Sequence, residues 1–268
     1  LFVYPYLNTF ALSLDKSGEI IGVVPKQWTL DNFKYVLMNP KIISGFKITI
    51  SRTIIGTAAS LFCTTIFSYG LSKRELIGRN IYLKICIFTM YFSGGIIPGY
   101  LLISKLGLTN NFMVFIIPNL LNVYNMILMV NYFKGLPSAL EESAKIDGAK
   151  ELKILFSIFI PLSMPIIAII LLFSAVFQWN SWYDGYMFIM GRPDLKPLQN
   201  VLTDIINESQ IAKFLSVLPS SVRDKMEMPI GKSIVSAAII VTIGPIILVY
   251  PYLQRHFIKG IMLGSLKG

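Results

Sequence analysis

The sequence predicts an all-α membrane protein that crosses the bilayer six times. Three observations carry that expectation. Of 268 residues, 54% are hydrophobic and only 14% charged, against roughly 25% charged in ordinary soluble domains. Uncharged runs long enough to cross a hydrocarbon core recur along the chain. The cations between those runs gather in alternate loops, as the positive-inside bias requires.

Each element follows from an uncharged run. The opening LFVYPYLNTFALSL carries no charge before Asp15. It is shorter than the roughly 20 residues a span needs, so it reads as the second half of a first spanning helix truncated at its N-terminus. Arg52 to Lys73 encloses twenty uncharged residues, Lys84 to Lys105 twenty, Lys105 to Lys134 twenty-eight, Lys153 to Asp184 thirty and Lys232 to Arg255 twenty-two. With the partial first helix these make six spans. Pro98, Pro118, Pro161, Pro165 and Pro245 fall inside or at the edge of the runs. In a membrane they predict kinks rather than helix ends, because neighbouring helices satisfy the freed carbonyls.

The loops orient the bundle. SKRELIGRN follows the second span, Lys134, Lys145, Lys150 and Lys153 follow the fourth, and QRHFIKGIMLGSLKG follows the last. These cationic loops share one side, expected to be cytoplasmic, with the C-terminus on it. Residues 15–41, a short link near 105–111 and a segment from about 178 to 229 lie on the other. That external segment holds six acids and five bases, so it lacks the cationic bias. Within it VLTDIINESQIAKFLSVL, from Val201, has apolar residues at helical spacing. It reads as an amphipathic helix, either a lid on the bundle or a contact for an external partner. With no internal repeat, residues 1–268 read as one transmembrane domain.

Composition excludes several function classes. The net charge of +10 is carried by loop cations, and the aromatics sit inside apolar runs instead of alternating with basic residues, so a nucleic-acid platform is not indicated. Cys63 and Cys86 have no CxxC or His neighbour, and His256 is the single histidine, so neither a disulfide framework nor a metal centre is expected. There is no G-x-x-x-x-G-K-[ST] and no G-x-S-x-G. The uncharged spans offer no cluster of ionisable groups for an intramembrane enzyme or a proton-driven carrier. No catalytic set and no bound cofactor are expected.

One stretch stands apart. LPSALEESAKIDGA, from Leu136 to Ala149, puts a short polar helix between two apolar runs. Pro137 suits the first turn, Glu141 and Glu142 favour the positive end of the dipole, and Gly148 suits the stop. Leu140, Ala144 and Ile146 are expected to form a small apolar face, and Ala139, Ser143 and Ala144 to keep one side slim. Two readings stand on the residues alone: a connector lying on the membrane, or a peg that enters a cleft on another protein with Glu142 paired to a cation there.

E-E-S-A-K-I-D-G-A followed by I-P-L-S-M-P-I at 160–166 resembles the EAA signature of ABC-importer permeases, with Ser143 in place of the middle alanine, Gly148 as the glycine and Ile160-Pro161 for the Leu-Pro. L-S-K-R-E-L-I-G-R-N (71–80), S-G-G-I-I-P-G-Y-L-L-I (93–103) and Q-W-N-S-W-Y (178–183) are similar to carbohydrate-uptake permeases of the maltose type. Within it they look like the branch that serves larger oligosaccharides and polysaccharide fragments, including the alginate importer and the lipoprotein-linked sugar permeases. The resemblance implies a six-helix type I importer permease in a bacterial inner membrane, with a cytoplasmic coupling helix at about 137–149. It implies a second, homologous permease as heterodimer partner, two copies of a cytoplasmic ATPase that binds ATP and Mg, an extracytoplasmic solute-binding protein, and an oligosaccharide cargo, acidic fragments such as those of alginate included. ATPase coupling is expected at Glu141, Glu142, Ser143, Ala144, Asp147, Gly148 and Ala149. Some relatives carry a long C-terminal tail, whereas only thirteen residues follow Arg255 here.

Sugars need polar partners and aromatic faces. The candidates on the path are Asn119, Asn122, Tyr124 and Asn125 in the fourth span, and Gln178, Trp179, Asn180, Trp182 and Tyr183 at the end of the fifth. Each Asn reads equally as an interhelical bond, and the tryptophans equally as interfacial belt residues. An importer of the same architecture for a peptide or polyamine is the alternative.

Overall fold

The computed structural model describes residues 3–18, 23–215 and 231–265, with side chains placed in 3–18, 23–209 and 231–248. The helices, in chain order, are α1 Val3–Ser13, α2 Asp31–Met38, α3 Pro40–Ser72, α4 Arg79–Tyr91, α5 Ile96–Lys105, α6 Val123–Lys134, α7 Ser138–Ile146, α8 Glu151–Ile154, α9 Ile160–Leu162, α10 Met164–Asn180, α11 Tyr183–Phe188, α12 Leu198–Leu215 and α13 Lys232–Ser265. Short 3₁₀ turns cover Phe112–Phe115, Ile117–Asn119 and Pro193–Leu195, and a π turn covers Leu155–Phe159. Among the described residues there is no β-strand. The fold is all-α, as expected.

Among the described residues, only α3 is by itself long and apolar enough to cross a membrane. Three helix pairs are long and apolar enough taken together but bend at a short break: α4 with α5 (116°), the paired 3₁₀ turns with α6 (44°), and α8–α9 with α10 (84°). The shorter apolar stretch Lys232–Leu248 and α1 complete the six expected segments.

The kinks lie near the prolines but not always at them. The sharpest break falls at residues 92–95, where Phe92 is extended and Gly95 has φ +92°, a left-handed value that glycine adopts without penalty. Pro98 sits in the first turn of α5, where an N–H would have no helical partner anyway. Pro161 follows the π turn, and the Ile160 N–H bonds back to the Leu155 carbonyl, a one-residue expansion that accommodates the missing donor. Pro245, expected to kink its span, lies inside α13 with no break in the helix.

The second span also starts earlier than its uncharged run. Asn39 accepts the Lys41 N–H at 2.9 Å through Oδ1, a cap that starts α3 with Pro40 in its first position. α3 therefore includes Lys41, Lys47 and Arg52, which uncharged runs alone exclude from a span.

The described chain groups into two compact units: Leu1–Ile50 with Asn180–Val249, and Ser51–Trp179 with Tyr250–Gly268. In the first, buried Asp15 accepts from the backbone N–H groups of Lys26 and Gln27 at 2.8 Å each, and from Gly18 and Ser17. Asn32 Nδ2 donates to the Ser13 and Asp15 carbonyls, so one carboxylate and one amide organise the loop ahead of α2. Gly45 lies against α12: a Cβ there would stand 3.0 Å from Leu198 Cα. The Leu198 N–H donates to Thr49 Oγ1 at 2.8 Å. Leu198, Val201 and Ile205 form the buried face of α12 at the expected helical spacing. The side chains of Ile211, Phe214, Leu215 and Leu218, which the same pattern includes, lie outside the described residues, as do those of His256 and the C-terminal tail.

In the second unit the core joins α3, α6, α8 and α10 through Tyr69, Met129, Phe133, Ile154, Leu155, Phe159, Ile166 and Ile170. Tyr69, Phe133 and Phe159 meet edge to face, with centroids 5.0 to 6.5 Å apart, the arrangement their quadrupoles favour. Ser68 Oγ donates to the Met126 carbonyl at 3.1 Å, joining α3 to α6.

Candidate functional site

Two sites occupy the second unit. The first is α7. It is shorter than the 137–149 expected, with Pro137 at the cap position instead of within the first turn. Its end is a Schellman turn. Gly148 has φ +76° and donates to the Lys145 carbonyl, while Ala149 donates to that of Ala144. Ala144 and Ala149 both pack on the aromatic core, so the turn that stops α7 also seats it.

The two glutamates take opposite directions. Glu141 points inward, 2.6 Å from Lys73 Nζ and 2.7 Å from Lys145 Nζ. Lys145 also lies 3.2 Å from Glu151, whose other oxygen accepts the Tyr69 hydroxyl. Lys73 stands over the Tyr69 and Phe159 rings, 4.1 and 4.5 Å from their centroids, close enough for cation–π attraction. Burial pushes the Glu141 carboxyl up, and the hydrogen bonds from Lys145 and Lys73 outweigh it, so the group sits below its ordinary range. Lys145 is held above its ordinary value, chiefly by the hydrogen bond to Glu141.

Glu142, Ser143, Asp147 and Gly148 are exposed, and Ile146 is 86% exposed. The apolar face expected from Leu140, Ala144 and Ile146 does not form. At 100° per residue Ile146 stands about 200° round the helix from Ala144, so Ala144 packs inward and Ile146 projects outward.

The second site is a cavity of about 280 Å³ lined by Ser60, Pro118, Asn119, Leu121, Asn122, Tyr124, Asn125, Phe173, Ser174, Phe177 and Gln178. It brings together five of the nine path candidates, Asn119, Asn122, Tyr124, Asn125 and Gln178. The break between the 3₁₀ turns and α6 makes the wall. Asn122 caps α6 by accepting the Asn125 N–H at 3.0 Å, and Asn119 Nδ2 donates to the Phe115 carbonyl at 3.2 Å. Irregular backbone at this depth is tolerated where it lines a cavity. Trp179 is buried and does not line the cavity. Asn180, Trp182 and Tyr183 belong to the other compact unit, where Trp182 meets Tyr183 and Tyr186 edge to face and its carbonyl accepts from Asn200 Nδ2.

The residue that reading by uncharged runs misses is Arg52. It is fully buried. Its Nε and Nη2 both donate to Gln178 Oε1 at 3.1 Å, and its guanidinium stands 4.4 Å from the centre of the Phe115 ring. Gln178 Nε2 donates to the Phe115 carbonyl at 3.3 Å. A Cβ on Gly56, four residues from Arg52 on the same helix face, would collide with the Gln178 amide. The available signal is the apolar stretch on both sides of Arg52, in ISGFKITISRTIIG.

Among the described residues no cluster of His, Cys, Asp or Glu could hold a metal. The arrangement offers polar and aromatic groups for binding and a helix linked mechanically to the core.

Comparison with known proteins agrees with that character. Residues 78–262 match the family described as binding-protein-dependent transport system inner membrane component. A Bacillus subtilis polygalacturonan/rhamnogalacturonan transport system permease protein, YtcP, is 37% identical, over 99% of this chain and 93% of its own. Protein LplC of Bacillus subtilis is 39% identical, over 100% of this chain and 88% of its own. A bacterial ABC transporter involved in the import of the acidic polysaccharide alginate superposes with a TM-score of 0.84 at 30% identity, covering 96% of this chain and 91% of that one.

Proposed function

The chain belongs to the family of binding-protein-dependent transport system inner membrane components, and from that premise we propose that it is a permease subunit of an ATP-driven importer whose cargo is an oligosaccharide, acidic fragments included. One observation carries the reading of the cargo. Ser60, Asn119, Asn122, Asn125, Ser174 and Gln178 converge with the rings of Tyr124, Phe173 and Phe177 on one cavity in a membrane chain. Amides and hydroxyls match sugar hydroxyls, and aromatic faces match the apolar faces of a sugar ring. The names of the relatives, which speak of polygalacturonan and alginate, point the same way. For a polyamine the cavity offers no counter-charge, since neither Asp nor Glu is among its lining residues.

The machinery follows from what the chain lacks. With no phosphate-binding loop, ATP and Mg fall to a partner ATPase, in two copies. A second permease completes the path, residues 1–268 act as one transmembrane domain, and an extracytoplasmic binding protein delivers the sugar. The C-terminus and α7 lie on the cytoplasmic side, in agreement with the loop cations. The exposed ridge of α7, with Glu142, Ser143 and Asp147, enters a cleft of the ATPase. Closure of the motor on ATP moves α7. The motion reaches α8 and α10 through Ala149, and α3 through Lys73 and Tyr69. Alternating access is then rigid-body rocking, biased because the motor grips the two states differently.

The test is reconstitution. The chain, a second permease, the ATPase and the binding protein are placed in proteoliposomes and supplied with labelled oligogalacturonide. ATP-dependent accumulation is expected. Accumulation of a peptide or polyamine in its place overturns the reading of the cargo, and uptake that ignores ATP overturns the importer.

A further inference from the structure

We propose that Arg52 sets the charge selectivity of the cavity, so that it favours a carboxylated oligosaccharide over a neutral one of the same length. The inference rests on the oligosaccharide reading above and adds which residue reads the charge.

Arginine can only donate, and it keeps its charge in any protein environment. Because Nε and Nη2 both reach Gln178 Oε1, the orientation of that amide is decided: oxygen toward Arg52, nitrogen away from it. Side-chain amides are usually ambiguous in this respect, and here the partner removes the ambiguity. One Gln178 N–H goes to the Phe115 carbonyl. The other is a donor on a side chain that lines the cavity. Its bond to a buried cation polarises the amide and strengthens it as a donor.

Asn122 is oriented in the same sense. Its Oδ1 is occupied by the Asn125 N–H, which leaves its Nδ2 as a donor. Asn119 is turned the other way, with Nδ2 on the Phe115 carbonyl, and keeps an acceptor for a sugar hydroxyl. The wall thus combines two oriented donors, one acceptor, a permanent cation behind Gln178, and no lining carboxylate. A carboxylate is the ligand group that gains most from that combination, since charge-assisted bonds are roughly twice as strong as neutral ones.

Gly56 fits the same purpose. Its missing Cβ gives the Gln178 amide its seat, beside the residue that orients it. Arg52 is a positioning and selectivity residue, while Gln178 makes the contact.

The experiment uses the whole transporter in nanodiscs without binding protein, so that delivery does not impose its own preference. The ligands are trigalacturonate and its fully methyl-esterified form, which has the same chain length and no charge. Their Kd ratio is measured in wild type, R52Q, R52K and Q178E. Wild type is expected to favour the acid by about tenfold or more, R52Q to bring the ratio close to one, and R52K to keep most of it. Q178E, nearly isosteric and paired to Arg52, removes the preference without removing the arginine, and carries the test if R52Q does not assemble. Equal weakening of both ligands in R52Q, or an unchanged ratio in R52Q or Q178E, overturns the role of Arg52 and leaves the oligosaccharide reading standing. A wild type that binds neither ligand overturns both.

Discussion

Lys73 Nζ lies 2.6 Å from Glu141 Oε1, and this pair ties the residue after α3 to the first turn of α7. The neighbouring Glu142 faces solvent. Two adjacent glutamates thus take opposite parts: one holds the helix to its own chain, the other projects outward.

Glu141→Gln removes the inner tie. Lys73 is then left beside two aromatic rings with a weaker counter-ion, Glu151 at 3.8 Å. A loss of about 1–2 kcal/mol is expected, discounted for partial exposure. It is measured as a lower melting temperature of the purified transporter. An unchanged melting temperature would show the tie to be idle.

Glu142→Lys separates docking from folding. It reverses an exposed charge, so stability should change by no more than about 0.5 kcal/mol. Sugar-stimulated ATPase activity should fall to background. Normal stimulated activity in this variant removes Glu142 from the motor contact.

Acid should loosen α7. The folded Glu141 carboxyl titrates below its ordinary value, because hydrogen bonds from Lys145 and Lys73 outweigh its burial. Its contribution is therefore fully present above the unfolded value and is lost as pH falls through the folded one. Melting curves from neutral pH to about pH 3 should show wild type losing more stability than Glu141→Gln. Parallel curves would refute the linkage.

Two glycines should resist substitution for different reasons. Gly148→Val forces a branched side chain into φ +76°, at about 1–2 kcal/mol, and should uncouple ATPase from transport by displacing the end of α7. Gly45→Val drives methyl groups into the Leu198 backbone, at about 1–3 kcal/mol. Its readout is a lower yield of folded protein at equal synthesis, with no special effect on coupling in what folds.

The chain by itself determined the class, the spans and the polar helix. An uncharged run of twenty or more residues has few other places to go than a bilayer, and helical spacing with a glycine stop is a local property. Four of the five path candidates that line the cavity, Asn119, Asn122, Asn125 and Gln178, could be named for the same reason, since an amide in an apolar run is conspicuous. Tertiary structure decided the rest. It placed Arg52 inside a helix, because Gln178 and the Phe115 ring, 126 residues away in one case, compensate a charge that in isolation marks a span's end. It also set Glu141 inward and Glu142 outward, because Lys73 arrives from just beyond α3 to meet the first. Local sequence fixes which groups are expensive to bury; only the packed fold supplies the distant partners that make the burial tolerable.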